Sequence, residues 1–364
     1  MIDSNRLERL RPLGLTSIEI EELKRLPSQP EDVQLLRVAE VQRETLSLHD
    51  GCAEHGARPL PALRHALVDA GDALAVGDWV LARRNSLGEW WAHERLQPRN
   101  QLARRLHDGR DKVTRVVIAS NVDLALLVMG LDHDFSLRRL ERYVALVRMA
   151  GVTPVVVLTK ADLCDRVDER LSQVQALLQA LMPADAAVVA VDATSDKAAQ
   201  ELAPWLRSGQ TLVLLGSSGA GKSTLTNTLV GSVVAHIGAN RAGDSRGRHT
   251  TTSRTLHATP QGACIIDTPG LRTLRLDGDA AELGAAFADI AELAPACRFR
   301  DCKHEDEPGC AVRGVVGPER LKNYGKLLRE ARRDSLSALE RKAQVQQWKA
   351  RGRLSRQRMA DKRG

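Results

Sequence analysis

Residues 211–224 read TLVLLGSSGAGKST, and no other stretch limits the possible fold as much. An apolar run, Thr211–Leu215, has strand character, and a segment of helical character, Ser223–Val230, follows. Between them Gly216, Ser217, Ser218, Gly219, Ala220, Gly221, Lys222 and Ser223 match G-x-x-x-x-G-K-S in the strand–loop–helix context that this phosphate-binding motif requires. Glycines let the backbone curl so that successive N–H groups converge on phosphate oxygens. The helix behind them adds its positive N-terminus. The pattern makes Lys222 the candidate for the β- and γ-phosphates and Ser223 the candidate Mg²⁺ ligand, with Thr224 beside them at the helix start. The bland alternative is a Gly/Ser-rich turn without a ligand. The loop alone does not choose between ATP and GTP.

The chain has 364 residues, room for two or three domains, and its 43% hydrophobic content suffices for ordinary cores. No N-terminal apolar segment of signal-peptide type and no run of eighteen apolar residues occurs, so the expectation is a cytoplasmic protein without a membrane span. Of six cysteines, Cys52, Cys164 and Cys264 are scattered, as suits free thiols in a reducing compartment, while Cys297, Cys302 and Cys310 cluster. Residues 319–364 carry a net charge of +10 within a chain of net +7, which leaves −3 for residues 1–318. Basicity is thus a property of the C-terminal segment. It suggests a polyanionic partner there, against the plainer reading of a solvated helix.

Residues 1–30 form a polar, helical N-terminal extension in which Thr16 and Glu19 have capping-box spacing, with no evident chemistry. Residues 31–108 hold short strand-like runs (VQLLRVAEVQ, TLSLHD, AVGDWVLARR, EWWAHERL) broken by turn residues, which predicts a small Greek-key barrel of the OB-fold type that binds RNA. Trp79, Trp90 and Trp91 are its candidate stacking residues. Trp79 is better read as core, and one of the adjacent pair must point outward. From residue 109 to 278, strand and helix patterns alternate, with strands at Val122–Met129, Val152–Leu158, Ala186–Val191, Thr211–Leu215, Thr255–Ala258 and Ala263–Asp267. Helices are expected at Ser136–Ala150, Arg166–Leu181, Ser195–Leu206 and Ser223–Val230. This pattern predicts a six-strand α/β domain.

Thr159-Lys160-Ala161-Asp162 falls at the carboxyl end of one strand, the edge at which ligands bind in such sheets. A carboxylate at Asp162 can accept from guanine N1–H and N2–H₂ together, a donor pair adenine lacks, and the Lys160 stem can lie on the base. Asp267-Thr268-Pro269-Gly270 ends the last strand, which makes Asp267 a candidate Mg²⁺ ligand and the Gly270 N–H a γ-phosphate contact. Between the two phosphate motifs lies Gly247-Arg248-His249-Thr250-Thr251-Thr252. One of Thr250, Thr251 and Thr252 can complete the Mg²⁺ shell, with Thr251 the choice here. The base-reading motif, followed by Asp192-Ala193 with its Ala193 N–H, precedes the phosphate loop, an order that makes this a circularly permuted GTPase domain. Leu271 occupies the position where Ras-like enzymes orient water with glutamine. His249 is the best replacement, and low intrinsic hydrolysis raised by a partner follows as an expectation.

Cys297-x₄-Cys302-x-His304-x₅-Cys310 supplies three thiolates and an imidazole, a closed tetrahedral set for one structural zinc ion in a helical domain spanning residues 279–345. Residues 320–348 read as one or two helices, and residues 346–364 as a basic tail.

The combination of barrel, permuted nucleotide domain and C-x₄-C-x-H-x₅-C, with GSSGAGKS, GRHTTT and DTPGL, resembles the RsgA (YjeQ) family of bacterial GTPases over about residues 31–340. The resemblance implies a multidomain fold: an N-terminal OB-fold barrel, a central α/β circularly permuted P-loop GTPase domain and a C-terminal zinc-binding α-helical domain. It implies a monomeric factor of late small (30S) ribosomal subunit maturation that binds GTP/GDP with magnesium, touches 16S rRNA and is stimulated by that subunit. A catalytic role for the histidine of GRHTTT, here His249, is also implied. Two positions depart from the family pattern: Thr159 replaces the usual asparagine, and Asp192 the usual serine or alanine. Two other classes share parts of the pattern. An ATP-using phosphotransferase shares only the phosphate loop, and a zinc-stabilised RNA-binding module would carry vestigial nucleotide turnover.

Overall fold

The computed structural model describes residues 4–26, 30, 32–107, 113–182, 186–235, 254–268, 283–284 and 287–335. The chain divides into two compact units, one of Met1–Arg104 with Val116–Leu274, the other of Arg105–Arg115 with Arg275–Gly364.

The first unit opens with α1 (Ser4–Leu10) and α2 (Ser17–Arg25). Thr16 caps α2 as its spacing predicts: its hydroxyl accepts the Ile18 N–H, and the Glu19 carboxylate accepts the Thr16 N–H at 2.9 Å. The barrel follows, with β1 (Gln34–Val41), β2 (Leu46–His49), β3 (Glu54–Pro59), α3 (Pro61–Asp69), β4 (Trp79–Arg84) and β5 (Trp90–Arg95). Its strand order is β1-β2-β3-β5-β4, and β4 pairs back onto β1, so the sheet closes on itself and leaves no free edge there. β3 and α3 had no signal in the hydrophobic pattern. β3 reads EHGARP and buries one residue, Ala57, so no alternation is visible. Trp79 is fully buried as expected. Trp90 points into a cluster with Leu36, Val38, Leu48 and Val80, and the next residue, Trp91, faces the other way opposite Arg83. A two-stranded ribbon, β6 (Gln101–His107) with β7 (Val113–Ser120), follows the barrel.

The α/β layer comprises β8 (Leu124–Gly130), α4 (Leu137–Met149), β9 (Thr153–Thr159), α5 (Val167–Leu181), β10 (Val188–Ala190), α6 (Lys197–Glu201), β11 (Thr211–Leu215), α7 (Lys222–Val230), β12 (Thr255–Ala258) and β13 (Cys264–Asp267). The order across the sheet is β10-β9-β8-β11-β13-β12. All neighbours are parallel except the antiparallel β12 at its end. Covered on both faces, β8 and β11 bury every residue, which is why they read as unbroken apolar runs. The helix expected over Ser195–Leu206 is instead α6 followed by a separate 3₁₀ turn, Ala203–Trp205. Pro204 has no N–H with which to continue the helical ladder. The α/β sheet also meets the barrel: β12 pairs β1 at Glu40 and Thr255, so eleven strands form one continuous sheet.

In the second unit, α8 (Ala288–Leu293) leads through a 3₁₀ turn into the cysteine-rich loop, and α9 (Pro318–Ser335) follows. Phe287 is fully buried against Tyr324, with ring centroids 5.2 Å apart, and Arg320 makes a bidentate pair with Asp289 at 2.6 and 2.8 Å. The tail at 346–364 lies outside the described residues. No helix among the described residues is long and apolar enough to cross a membrane.

Candidate nucleotide-binding and metal sites

Close packing dictates the glycines of the phosphate loop. A side chain at Gly216 would place its Cβ 2.2 Å from the Val128 carbonyl oxygen, and Gly219 and Gly221 hold φ of 83° and 87°, where a Cβ strains the backbone. Gly221 starts α7 without a side-chain cap hydrogen bond, since glycine has no side chain to accept an N–H of the first turn. Ser218 and Gly219 are exposed, while Ser217, Ser223 and Thr224 are half-buried. Lys222 is 6% exposed and donates to the Gly216 and Ser217 carbonyls at 3.0 and 2.7 Å, which arches the loop around its ammonium. Burial lowers the Lys222 pKa, opposed by the charges of Asp267 and Asp134. Burial likewise raises that of Asp267, opposed by Lys222 and His257. Asp267 Oδ1 is buried without a partner among the described residues, an orphaned carboxylate oxygen of the kind that a hydrated Mg²⁺ satisfies. Thr268 anchors the end of β13 by donating to the Leu214 carbonyl at 2.5 Å. His249, Thr250, Thr251, Thr252 and Gly270 lie outside the described residues.

The Thr159–Asp162 segment lies beside this loop. Thr159 ends β9 fully buried, and its hydroxyl donates to the Ala220 carbonyl at 2.7 Å. The structure therefore spends this side chain on the phosphate loop itself. Lys160 adopts a left-handed φ of 61°, and its ammonium lies 2.6 Å from Asp132 Oδ2. Asp162 sits exposed in the 3₁₀ turn Ala161–Leu163. Buried Ala193 offers its carbonyl to the Thr228 hydroxyl of α7 at 2.7 Å, which brings the third loop to the same end of the sheet. Asp192, one of the two departures, closes its own turn on Thr194 at 2.6 and 2.9 Å.

Two residues absent from the sequence reading belong to this site. Asp132 holds Lys160, and Asp134 accepts the Ser217 hydroxyl at 2.5 Å. Their signal was position: both lie just past the carboxyl end of β8, the strand next to β11.

In the second unit, the ligand atoms of Cys297, Cys302, His304 and Cys310 all lie within 4.8 Å of one another. Cys297 Sγ is 3.9 Å from Cys310 Sγ, and His304 Nδ1 is 3.7 and 3.4 Å from the two sulfurs. A tetrahedron with metal–sulfur bonds of about 2.3 Å has sulfur–sulfur edges near 3.8 Å, so these donors can hold a zinc ion with little adjustment.

The RsgA GTPase model matches residues 96–277, half of the chain. A protein of Vibrio parahaemolyticus named small ribosomal subunit biogenesis GTPase RsgA 2 is 45% identical over 295 residues, covering 80% of this chain and 78% of that one. The chain belongs to the RsgA GTPase family. An RsgA of Xylella fastidiosa, also named a small ribosomal subunit biogenesis GTPase, is 48% identical over 273 residues, 74% of this chain and 79% of its own. The RsgA fold is matched by the crystal structure of YjeQ from Thermotoga maritima (TM-score 0.59, 23% identity, 82% of this chain and 98% of that one) and by that of YloQ, described as a circularly permuted GTPase (0.57, 23%, 84% and 98%). Membership in the RsgA family sets the ATP-using phosphotransferase aside.

Proposed function

We propose that this chain hydrolyses GTP to GDP and phosphate and acts in late maturation of the small (30S) ribosomal subunit, which stimulates that hydrolysis. One observation carries the reading. The TKAD segment and the phosphate loop meet at one sheet edge, joined by the Thr159–Ala220 bond, in a chain 45–48% identical to proteins named for small-subunit biogenesis. Asp162 reads guanine, Lys160 lies along the base, and Ala193 offers its N–H. Gly216 to Thr224 cradle the phosphates, with Lys222 on the β- and γ-phosphates. Ser223, Asp267 and Thr251 would hold Mg²⁺, with the orphaned Asp267 oxygen in support. When bound, Mg²⁺ neutralises charge that develops on the phosphate oxygens. His249 orients the attacking water in the complex with the subunit, and the Gly270 N–H meets the γ-phosphate. Cys297, Cys302, His304 and Cys310 hold one structural zinc ion. The barrel and the zinc-bearing unit contact 16S rRNA, and the protein works as a cytoplasmic monomer without a membrane.

The test is GTP turnover by the full chain alone and with small subunits, large subunits or free rRNA at stated salt. Stimulation confined to small subunits and lost in Lys222→Ala is the expected result. An unchanged rate with every ribosomal species removes the ribosome-coupled part. Cellular function surviving in Lys222→Ala would favour an RNA-binding module with vestigial turnover.

A further inference from the structure

The turn Asp132–Asp134, between β8 and α4, touches both halves of the candidate site while belonging to neither motif. Asp132 Oδ2 pairs with Lys160 at 2.6 Å, and its Oδ1 accepts the Asp134 N–H at 2.9 Å. Asp134, 8% exposed, accepts the Ser217 hydroxyl at 2.5 Å and Arg139 Nη2 at 2.6 Å on Oδ1, and the Gly130 N–H at 3.3 Å on Oδ2. Arg139 also donates to the Asp134 carbonyl. A Cβ at Gly130 would come within 2.7 Å of Asp132 Oδ1, so the strand end is shaped to this turn. Each carboxylate has its own cation, Lys160 for Asp132 and Arg139 for Asp134. Two aspartates can therefore stand near a polyphosphate site without presenting a net negative charge to it.

We propose that Asp132 and Asp134 are positioning residues for nucleotide binding, and that the turn sets the distance between the base-reading segment and the phosphate loop. The proposal rests on the guanine-nucleotide reading above. Asp132 acts through Lys160, whose left-handed backbone carries the residues leading to Asp162. Asp134 acts through Ser217, whose hydroxyl fixes the first bend of the phosphate loop, so the loop's N–H groups converge before any phosphate arrives. A charge-assisted bond at an almost buried carboxylate is strong enough for this, because little water competes for it.

The test measures GDP affinity and thermal melting of the full chain carrying Asp132→Asn, Asp134→Asn, Ser217→Ala, Ser217→Thr and the double change Asp134→Asn with Ser217→Ala. The expected result is about tenfold weaker GDP binding for each Asn or Ala variant, the scale of one charged hydrogen bond, with melting temperature little changed in Asp132→Asn and Ser217→Ala, which leave the Asp134–Arg139 pair intact. Ser217→Thr, which keeps the hydroxyl, retains affinity. The double variant loses less affinity than the two single losses combined, since both changes act on the Asp134–Ser217 bond, whereas a second double variant, Asp132→Asn with Ser217→Ala, is additive. A purely structural role would instead lower affinity and melting temperature together. Wild-type affinity in the single variants, or additivity of Asp134→Asn with Ser217→Ala, overturns the proposal while leaving the nucleotide reading intact. Failure of the unaltered chain to bind GDP overturns both.

Discussion

Thr159 and Asp78 illustrate how much one buried polar atom can decide. The Thr159 hydroxyl serves the Ala220 carbonyl 2.7 Å away. Thr159→Val keeps the shape and leaves that carbonyl without its donor, so we expect a loss of about 1–2 kcal/mol in urea denaturation, with weaker GDP binding, and recovery of both in Thr159→Ser. Asp78 is fully buried in the barrel and pushed up to about 6 by that burial, against the opposing Arg95 charge 3.8 Å away and the Ala75 N–H. The native state thus holds this proton more tightly than the unfolded chain. The resulting stability is complete below about pH 4 and lost as the pH rises through 6. Relative to Asp78→Asn, the unaltered chain should lose about 1 kcal/mol between pH 5 and pH 7, and an equal pH dependence in the two proteins would show that Asp78 ionises normally.

At the scale of elements, the N-terminal extension changes meaning. Read alone it offered a cap and nothing else. In the fold, Glu19 of α2 is 1% exposed and pairs with Arg99 at 2.8 Å, Arg99 reaches Asp123 at 3.0 Å, and Asp123 accepts the N–H of Thr211 at 2.8 Å. Helix α2 is thereby tied to the first residue of the strand that carries the phosphate loop. Glu19→Ala removes one of the two partners of Arg99 and leaves Asp123 as the other, so it should lower stability by about 2 kcal/mol in urea denaturation, and a loss under 1 kcal/mol would reduce the chain of contacts to surface pairing. The contrast explains what was legible. The phosphate loop, TKAD and the cysteine cluster are local patterns whose spacing encodes their geometry, and five of the six α/β strands announced themselves as apolar runs, the exception being Thr255–Ala258 with its TLHA. Glu19, Asp132 and Asp134 are ordinary acidic residues in sequence. Their meaning depends on partners such as Arg99, 80 residues from Glu19, and Ser217, 83 residues from Asp134, which only the folded chain brings near. Strand β3 escaped because Ala57 alone of its six residues is buried, so no apolar alternation marks it.

At the scale of the molecule, the two units differ in what holds them together. The first has a continuous sheet with large apolar clusters on it. In the second, the described buried apolar residues are Leu283, Phe287, Ile290, Val312, Val316, Leu327 and Ala331, a core too small to offset the conformational entropy of its loops. The region 297–310 adds almost nothing apolar and is organised around four metal donors. With the proposed zinc ion bound, metal affinity would be folding free energy for this unit, and structural zinc supplies on the order of 10 kcal/mol in small domains. Chelation, or Cys310→Ser, should melt the second unit while sparing the first. Expected are a loss of helical signal, protease cleavage within 287–335, and GDP affinity within about twofold of the untreated protein. Added zinc should restore the chelated protein but not the Cys310→Ser variant. A second unit that keeps its helices and protease resistance after complete metal removal would mean that apolar packing alone holds it, and the cysteine cluster would then need another explanation.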